Sequence, residues 1–255
     1  MAHPGRRAFL LALASSLCAC DKGAAGPTAS KSSHPMTIES DLPRLVAGLG
    51  DTLLDVRQHS TFAFRTDLLS DSYVVAVDKP LQFVFAGPHP FELAPTRFAS
   101  LECTAAIVTA IQSSPHLDYL ETASALALVA QLNERILQAG WHVEREERPV
   151  PTGAELALGL RDPALPDDTW WFAAIYASGT ARLYVKLRRT HRAGRTGPGD
   201  LFLVTLQWRD DALLDRAIAL AKRLRQQDGL PPDRDRPIAL ETYVERVRML
   251  VPKAP

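Results

Sequence analysis

The chain has 255 residues, 46% apolar and 23% charged, and its 29 Lys+Arg balance 29 Asp+Glu. Such a composition can build a core, and it excludes a disordered, a collagen-like and a disulfide-dense polypeptide. A formal charge of zero also argues against a nucleic-acid binder, which needs excess positive charge to meet phosphates.

At the N-terminus, Arg6 and Arg7 precede a short apolar run from Phe9 to Leu17, and Leu17-Cys18-Ala19-Cys20 closes it. The run is too short to span a bilayer. A positive segment, an apolar segment and a small residue before a processing point form the three-part layout of an export signal. Leu17 to Cys20 resembles the lipobox of bacterial lipoprotein signals: an aliphatic residue, two small residues and a cysteine. Cys20 is the better acceptor, because Cys18 would place the bulky Leu17 just before the cut. The resemblance implies a signal peptide over 1–19, removal up to Ala19, and lipidation of the Cys20 thiol. Arg6-Arg7-Ala8-Phe9-Leu10 also resembles a twin-arginine export motif, with Gly5 where Ser or Thr is usual; a plain secretory n-region also carries two arginines. Asp21, directly after the acylated cysteine, is the residue that holds enteric lipoproteins in the inner membrane. One acyl chain binds a bilayer only marginally, whereas two or three make release negligible. The resemblance therefore implies an anchored protein of the bacterial cell envelope, on the periplasmic face of the inner membrane.

Residues 20–38 carry the anchor and then a small, polar, Pro- and Gly-containing segment, which reads as a flexible tether. Eighteen such residues reach roughly 23 Å. The folded part is expected in two halves, 39–140 and 141–255. In the first, Leu42, Leu45, Val46, Leu49, Leu53 and Leu54 recur at helical spacing, interrupted by Gly48 and Gly50. Strands are expected where residues alternate: at Phe62 and Phe64, at Tyr73, Val75 and Val77, and at Leu81, Phe83 and Phe85. Leu101 to Ile111 is a further strand. A long helix follows from about Leu117 to Ala139, with Ala125, Leu126, Val129, Leu132 and Ile136 on one face and Gly140 as its stop. Trp141 then opens a charged strand.

The second half repeats this order. Trp170 to Tyr176 turns at Ser178-Gly179 into Arg182 to Arg189, and Leu201 to Arg209 follows. Asp210 or Asp211 caps a helix with a stripe of Leu214, Ala217, Ile218, Ala221 and Leu224, and Gly229 stops it. The two helices align at an offset of 94, Leu120 on Leu214 and Ala123 on Ala217. A last helix spans Leu240 to Val251. The fold class expected is α+β, an antiparallel sheet packed by long helices, with two related strand-then-helix halves.

Catalytic motifs are sparse. None of the seven histidines has another His at ligand spacing, and no Cys pair lies beyond the signal segment, so no metal and no cofactor is expected. Cys103 falls in an apolar stripe and reads as a buried thiol. Asp55, His59 and Ser60 are triad-type residues without a nucleophile elbow, and read as helix-end residues. No catalytic residue is assigned.

The most distinctive surface is basic. Leu183, Val185 and Leu187 point one way along a strand, and Arg182, Tyr184, Lys186 and Arg188 point the other. Arg189, Arg192 and Arg195 continue the charge into the following loop. Pairing with Leu201 to Arg209 would make this a continuous basic sheet face, and Arg and Tyr are common interface anchors. The expectation is a non-enzymatic, membrane-anchored binding module with a protein partner, such as an inhibitor or immunity protein. The alternatives are an envelope assembly lipoprotein and a hydrolase built from distant residues. Without Arg6 and Arg7, 27 basic side chains face 29 acidic ones, so the processed chain carries −2 with a basic face on one side.

Overall fold

Period-two alternation places most of the strands. In the computed structural model, which describes residues 42–62, 72–77, 79–93, 95–144, 170–190, 201–229 and 239–250, eleven strands and four helices occur. The strands are β1 (Arg44–Ala47), β2 (Ser72–Val77), β3 (Gln82–Phe85), β4 (Phe91–Glu92), β5 (Ala99–Thr104), β6 (Ile107–Ser113), β7 (Leu120–Glu121), β8 (His142–Val143), β9 (Trp170–Ser178), β10 (Ala181–Thr190) and β11 (Leu201–Asp210). The helices are α1 (Leu53–His59), α2 (Thr122–Gln138), α3 (Asp211–Gln227) and α4 (Leu240–Leu250).

Eight strands form one antiparallel sheet in the order β2-β5-β6-β11-β10-β9-β8, with β7 pairing onto the start of β11. The fold is therefore α+β with a mostly antiparallel sheet, as its alternating strands and long helices imply. Two three-stranded meanders, β2-β5-β6 and β9-β10-β11, meet through the antiparallel pair β6–β11. Each meander leads to a 17-residue helix. The helices cross over: α2 packs on β11 of the second meander, and α3 packs on β5 and β6 of the first.

One face of the sheet builds the core. Val75, Val77, Leu101, Cys103, Ile111, Tyr176, Leu183, Val185, Leu187, Val204, Leu206 and Trp208 join the buried stripes of α2, α3 and α4 in a single cluster. A second, smaller sheet, β1-β3-β4, with β1 parallel to β3, adds Leu45, Ala47, Phe83 and Phe85 to the same core cluster. Its Phe85 stacks on Trp208 at 5.0 Å between ring centroids, flanked by Phe83 and Phe91 at 5.6 and 5.7 Å.

Three expectations change. The stretch from Leu42 to Leu54 is not one helix: residues 44–47 form β1, and the helix starts only at Leu53. Leu45 and Ala47 are buried at strand spacing beside β3, and the Gly48–Gly50 turn separates them from the Thr52 cap; i,i+3 matches alone did not separate the two periods. The stretch from Leu101 to Ile111 is a hairpin, β5 and β6, not one strand. Its turn uses Ala105 and Ala106 at φ 52° and 58°, a left-handed pair normally given to Asn-Gly. Both alanines are fully buried, and Ala106 O accepts from Leu53 N at 2.8 Å, so packing against the start of α1 holds a conformation costing about 1 kcal/mol or more per residue. Finally, α2 begins at Thr122 rather than near Leu117, because 120–121 pair with β11. The Phe62/Phe64 strand runs into residues outside those described.

The offset of 94 lays Leu120, a strand residue, on the helical Leu214. The helix starts and the stop glycines are instead 89 positions apart, Thr122 to Asp211 and Gly140 to Gly229. The buried positions match equally at two offsets: at 92, Ala125 with Ala217, Val129 with Ala221 and Leu132 with Leu224, and at 88, Val129 with Ala217, Leu132 with Leu220 and Ile136 with Leu224.

Candidate functional site

The register of β10 and β11 decides what the basic strand does. Arg182 lies opposite Arg209, Tyr184 opposite Gln207, and Lys186 opposite Thr205, while Leu183 and Val185 face Trp208 and Leu206. The side chains Arg182, Tyr184, Lys186 and Arg188 thus share the sheet face away from the core, and all four are half-buried. Glu102, Gln112, Gln207 and Arg209 lie on the same face through the β5-β6-β11 register. Arg189 is the last but one residue of β10; Arg192 and Arg195 lie outside the described residues, as do the signal and anchor residues Arg6, Arg7, Leu17, Ala19, Cys20 and Asp21.

The face is less basic than its sequence. Arg182 pairs with Glu144 just beyond β8 at 2.5 Å, and Arg209 pairs with Asp211 at 2.6 Å. Lys186 donates to Gln207 Oε1, and its ammonium sits 5.8 Å from the centre of the Tyr184 ring. Burial lowers the Lys186 pKa, Arg209 adds to that, and Glu102 opposes it. Burial, then Glu144 and Asp211, pushes the Tyr184 phenol up. The result is a sheet face whose cations are held in place by intramolecular acceptors. Sequence alternation placed the four side chains, but Glu144 was not legible as the partner of Arg182, because it comes from a different element 38 positions away.

The structure also assembles a group that sequence spacing did not flag. After β6 the chain leaves β11 at Pro115, and pairing resumes only at β7. Ser114 and His116 fill that gap. Val204 N–H donates to His116 Nε2 at 2.9 Å, Ser114 Oγ donates to Val204 O at 2.8 Å, and His116 Nδ1–H donates to Asp118 O at 2.5 Å. Because Val204 N can only donate and Asp118 O can only accept, the ring is neutral with its proton on Nδ1. Ser114 Oγ lies 3.1 Å from Nε2, a nucleophile–base distance. Yet Ser114 is fully buried, and the hydroxyl proton and the Nε2 lone pair are both spent on Val204. The pair works as two missing ladder rungs, not as a nucleophile.

The remaining candidates are structural. Asp55 forms a capping box with Thr52 and pairs with Arg248 at 2.7 Å. Ser60 Oγ accepts from Val46 N at 2.9 Å, and His59 is exposed in the last turn of α1. Cys103 is buried in the core cluster. Among the described residues no cluster of His, Cys, Asp and Glu could hold a metal ion, and no helix is long and apolar enough to cross a membrane. Comparison of the chain with family models, curated proteins and solved structures finds no match to any of the three.

Proposed function

We propose that this chain is a lipid-anchored protein of the bacterial cell envelope that binds a protein partner through the outer face of β10 and β11. The lipobox-like Leu17 to Cys20 supports the anchor. The observation that carries the binding reading is the arrangement of Arg182, Tyr184, Lys186 and Arg188 on one strand, aimed away from the core. Arg and Tyr are enriched among the residues that dominate interface binding energy, and Arg182 and Lys186 are already held by intramolecular acceptors, so less rotamer freedom is left to lose on binding. The partner that fits is a protein with surface carboxylates, able to take Arg182 and Arg209 from Glu144 and Asp211 without leaving either acid far from a cation. A tethered inhibitor or immunity protein is the version that uses both features.

A photo-cross-linking residue at position 184 of the full, lipidated chain tests this in the cell envelope. The expected result is one defined protein adduct, absent when the probe sits at the exposed Gln131 of α2 and lost with Lys186→Glu in the same chain. Identical adducts at 184 and 131 would overturn the reading. For the anchor, Cys20→Ser should move the exported protein from the membrane to the soluble fraction.

A further inference from the structure

We propose that Ser114 and His116 form a proton-gated clasp on β11, which releases Val204 when His116 gains a second proton. The geometry carries this. The Val204 amide hydrogen has one acceptor, the Nε2 lone pair, and protonation removes that lone pair. The new Nε2–H would turn to Val204 O, 3.2 Å away, where it competes with the Ser114 hydroxyl already bound there. One buried N–H is then left unpaired, and one carbonyl has two donors.

The surroundings resist that proton. His116 is only 9% exposed. The charged groups acting on it are Arg97, from the segment before β5, and Asp118, in its own turn; β11 contributes only the neutral backbone of Val204. Arg97 is itself fixed: its backbone N–H donates to Ser114 O and His116 O, its guanidinium donates to Leu117 O at 3.0 Å, and it sits over the Tyr119 ring at 4.9 Å. Burial is the largest influence and lowers the His116 pKa; Arg97 acts the same way, while Asp118 and the hydrogen bonds to backbone carbonyls oppose it. A histidine with a lowered folded value leaves the clasp closed above pH ~6.5 and opens it as pH falls below that value. Val204 pairs with Leu187 of β10, between Lys186 and Arg188, so opening loosens the strand beneath the outer sheet face. The inference stands on the backbone geometry of β11 and does not depend on the partner reading.

Amide hydrogen exchange on the full chain tests the clasp, with rates corrected for intrinsic exchange. Between pH 7.5 and 5.0 the Val204 amide should lose protection, by at most about thirtyfold, the limit set by the proton uptake of a group with an unfolded pKa near 6.5. The Trp208 and Arg209 amides, where β11 pairs with β6, should change little. In His116→Gln the side-chain oxygen can still accept from Val204 but does not titrate, so the Val204 profile should be flat. Equal loss at Val204 and Trp208 would mean global unfolding and overturn the clasp, as would unchanged Val204 protection at pH 5. If the Gln variant does not fold, NMR titration of the His116 ring in the native chain decides: a folded pKa above 6.5 overturns the proposal.

Discussion

Trp208 is the joint between the two sheets, and it carries an unusual defect. Its ring is fully buried against Phe83, Phe85 and Phe91, yet its indole N–H has no hydrogen-bond partner among the described residues. Truncation to alanine should cost about 4–5 kcal/mol, the upper end for a buried aromatic, because three ring contacts go with it. Trp208→Phe behaves differently. It loses two ring carbons, about 1.5 kcal/mol of transfer energy, and leaves a small cavity worth about 1 kcal/mol. It also deletes the orphaned donor, which returns about 1–3 kcal/mol. The sum lies within about 1.5 kcal/mol of the native protein. Trp141 is the control: equally buried, its indole N–H donates to His89 O at 3.4 Å. Trp141→Phe loses the same carbons and also that bond, so it should cost about 3 kcal/mol. Urea unfolding followed by circular dichroism measures all three, with m-values checked for a constant unfolded state. If Trp208→Phe costs as much as Trp141→Phe, the orphaned indole is not a real penalty and the reasoning fails.

Three further outcomes are expected. Gly140 has φ +102° and an added Cβ would sit 2.6 Å from His89 Nδ1, whereas Gly229 has φ +62° and open space, so Gly140→Ala should lower the urea midpoint clearly more than Gly229→Ala, which costs about 1 kcal/mol of backbone strain alone. Burial pushes the Asp51 carboxyl above its ordinary range against the Gly48 N–H that lowers it; the folded state then favours the acid form, stability is highest below the unfolded pKa near 3.8 and is lost as pH rises, so Asp51→Asn should be more stable than the native chain at pH 7 and show no advantage at pH 3 in thermal melts. Arg246 grips Asp228 with two bonds of 2.9 and 3.0 Å in a partly buried site joining α3 to α4, so Arg246→Ala should cost about 1–2 kcal/mol in urea unfolding, while Arg57→Ala, which breaks an exposed pair with Glu241, should leave the midpoint unchanged.

Much of the fold is visible in local pattern. Tyr73, Val75 and Val77 mark β2, Phe83 and Phe85 mark β3, and Leu183 to Leu187 mark the core face of β10, because alternation is a property of a few neighbouring residues. Asp210 caps α3 by accepting from Leu213 N at 2.9 Å, and Gly140 and Gly229 take the positive φ that ends α2 and α3. What escaped depends on distant partners. Arg44 to Ala47 becomes a strand only because β3 lies beside it. Ala105-Ala106 gives no turn signal, since the left-handed pair is enforced by burial. Ser114 and His116 are two ordinary polar residues until Val204, 88 positions on from His116, presents its backbone to them. The outer face of β10 was legible as alternation, but the ion pair of Arg182 with Glu144, 38 positions away, was not.

The crossover of the helices gives the last prediction. Residues 39–140 and 141–255 each contain a meander and a long helix, and on pattern alone each resembles a foldable unit. The packing denies this. The helix of each half covers strands of the other half, α2 on β11 and α3 on β5 and β6. Separated, each half would expose the apolar stripe of its helix to water, and a bare edge strand, β6 or β11, along the former junction. Trp208 would also lose Phe83, Phe85 and Phe91, and Tyr176 would lose its 2.5 Å bond to Asn133 of α2. The two fragments expressed apart should therefore be insoluble or lack a cooperative unfolding transition. Expressed together, they should associate and recover the near-ultraviolet circular dichroism of the intact protein. A cooperative transition in either fragment alone would refute the argument, because it would show that a meander finds its own cover when the other half's helix is absent.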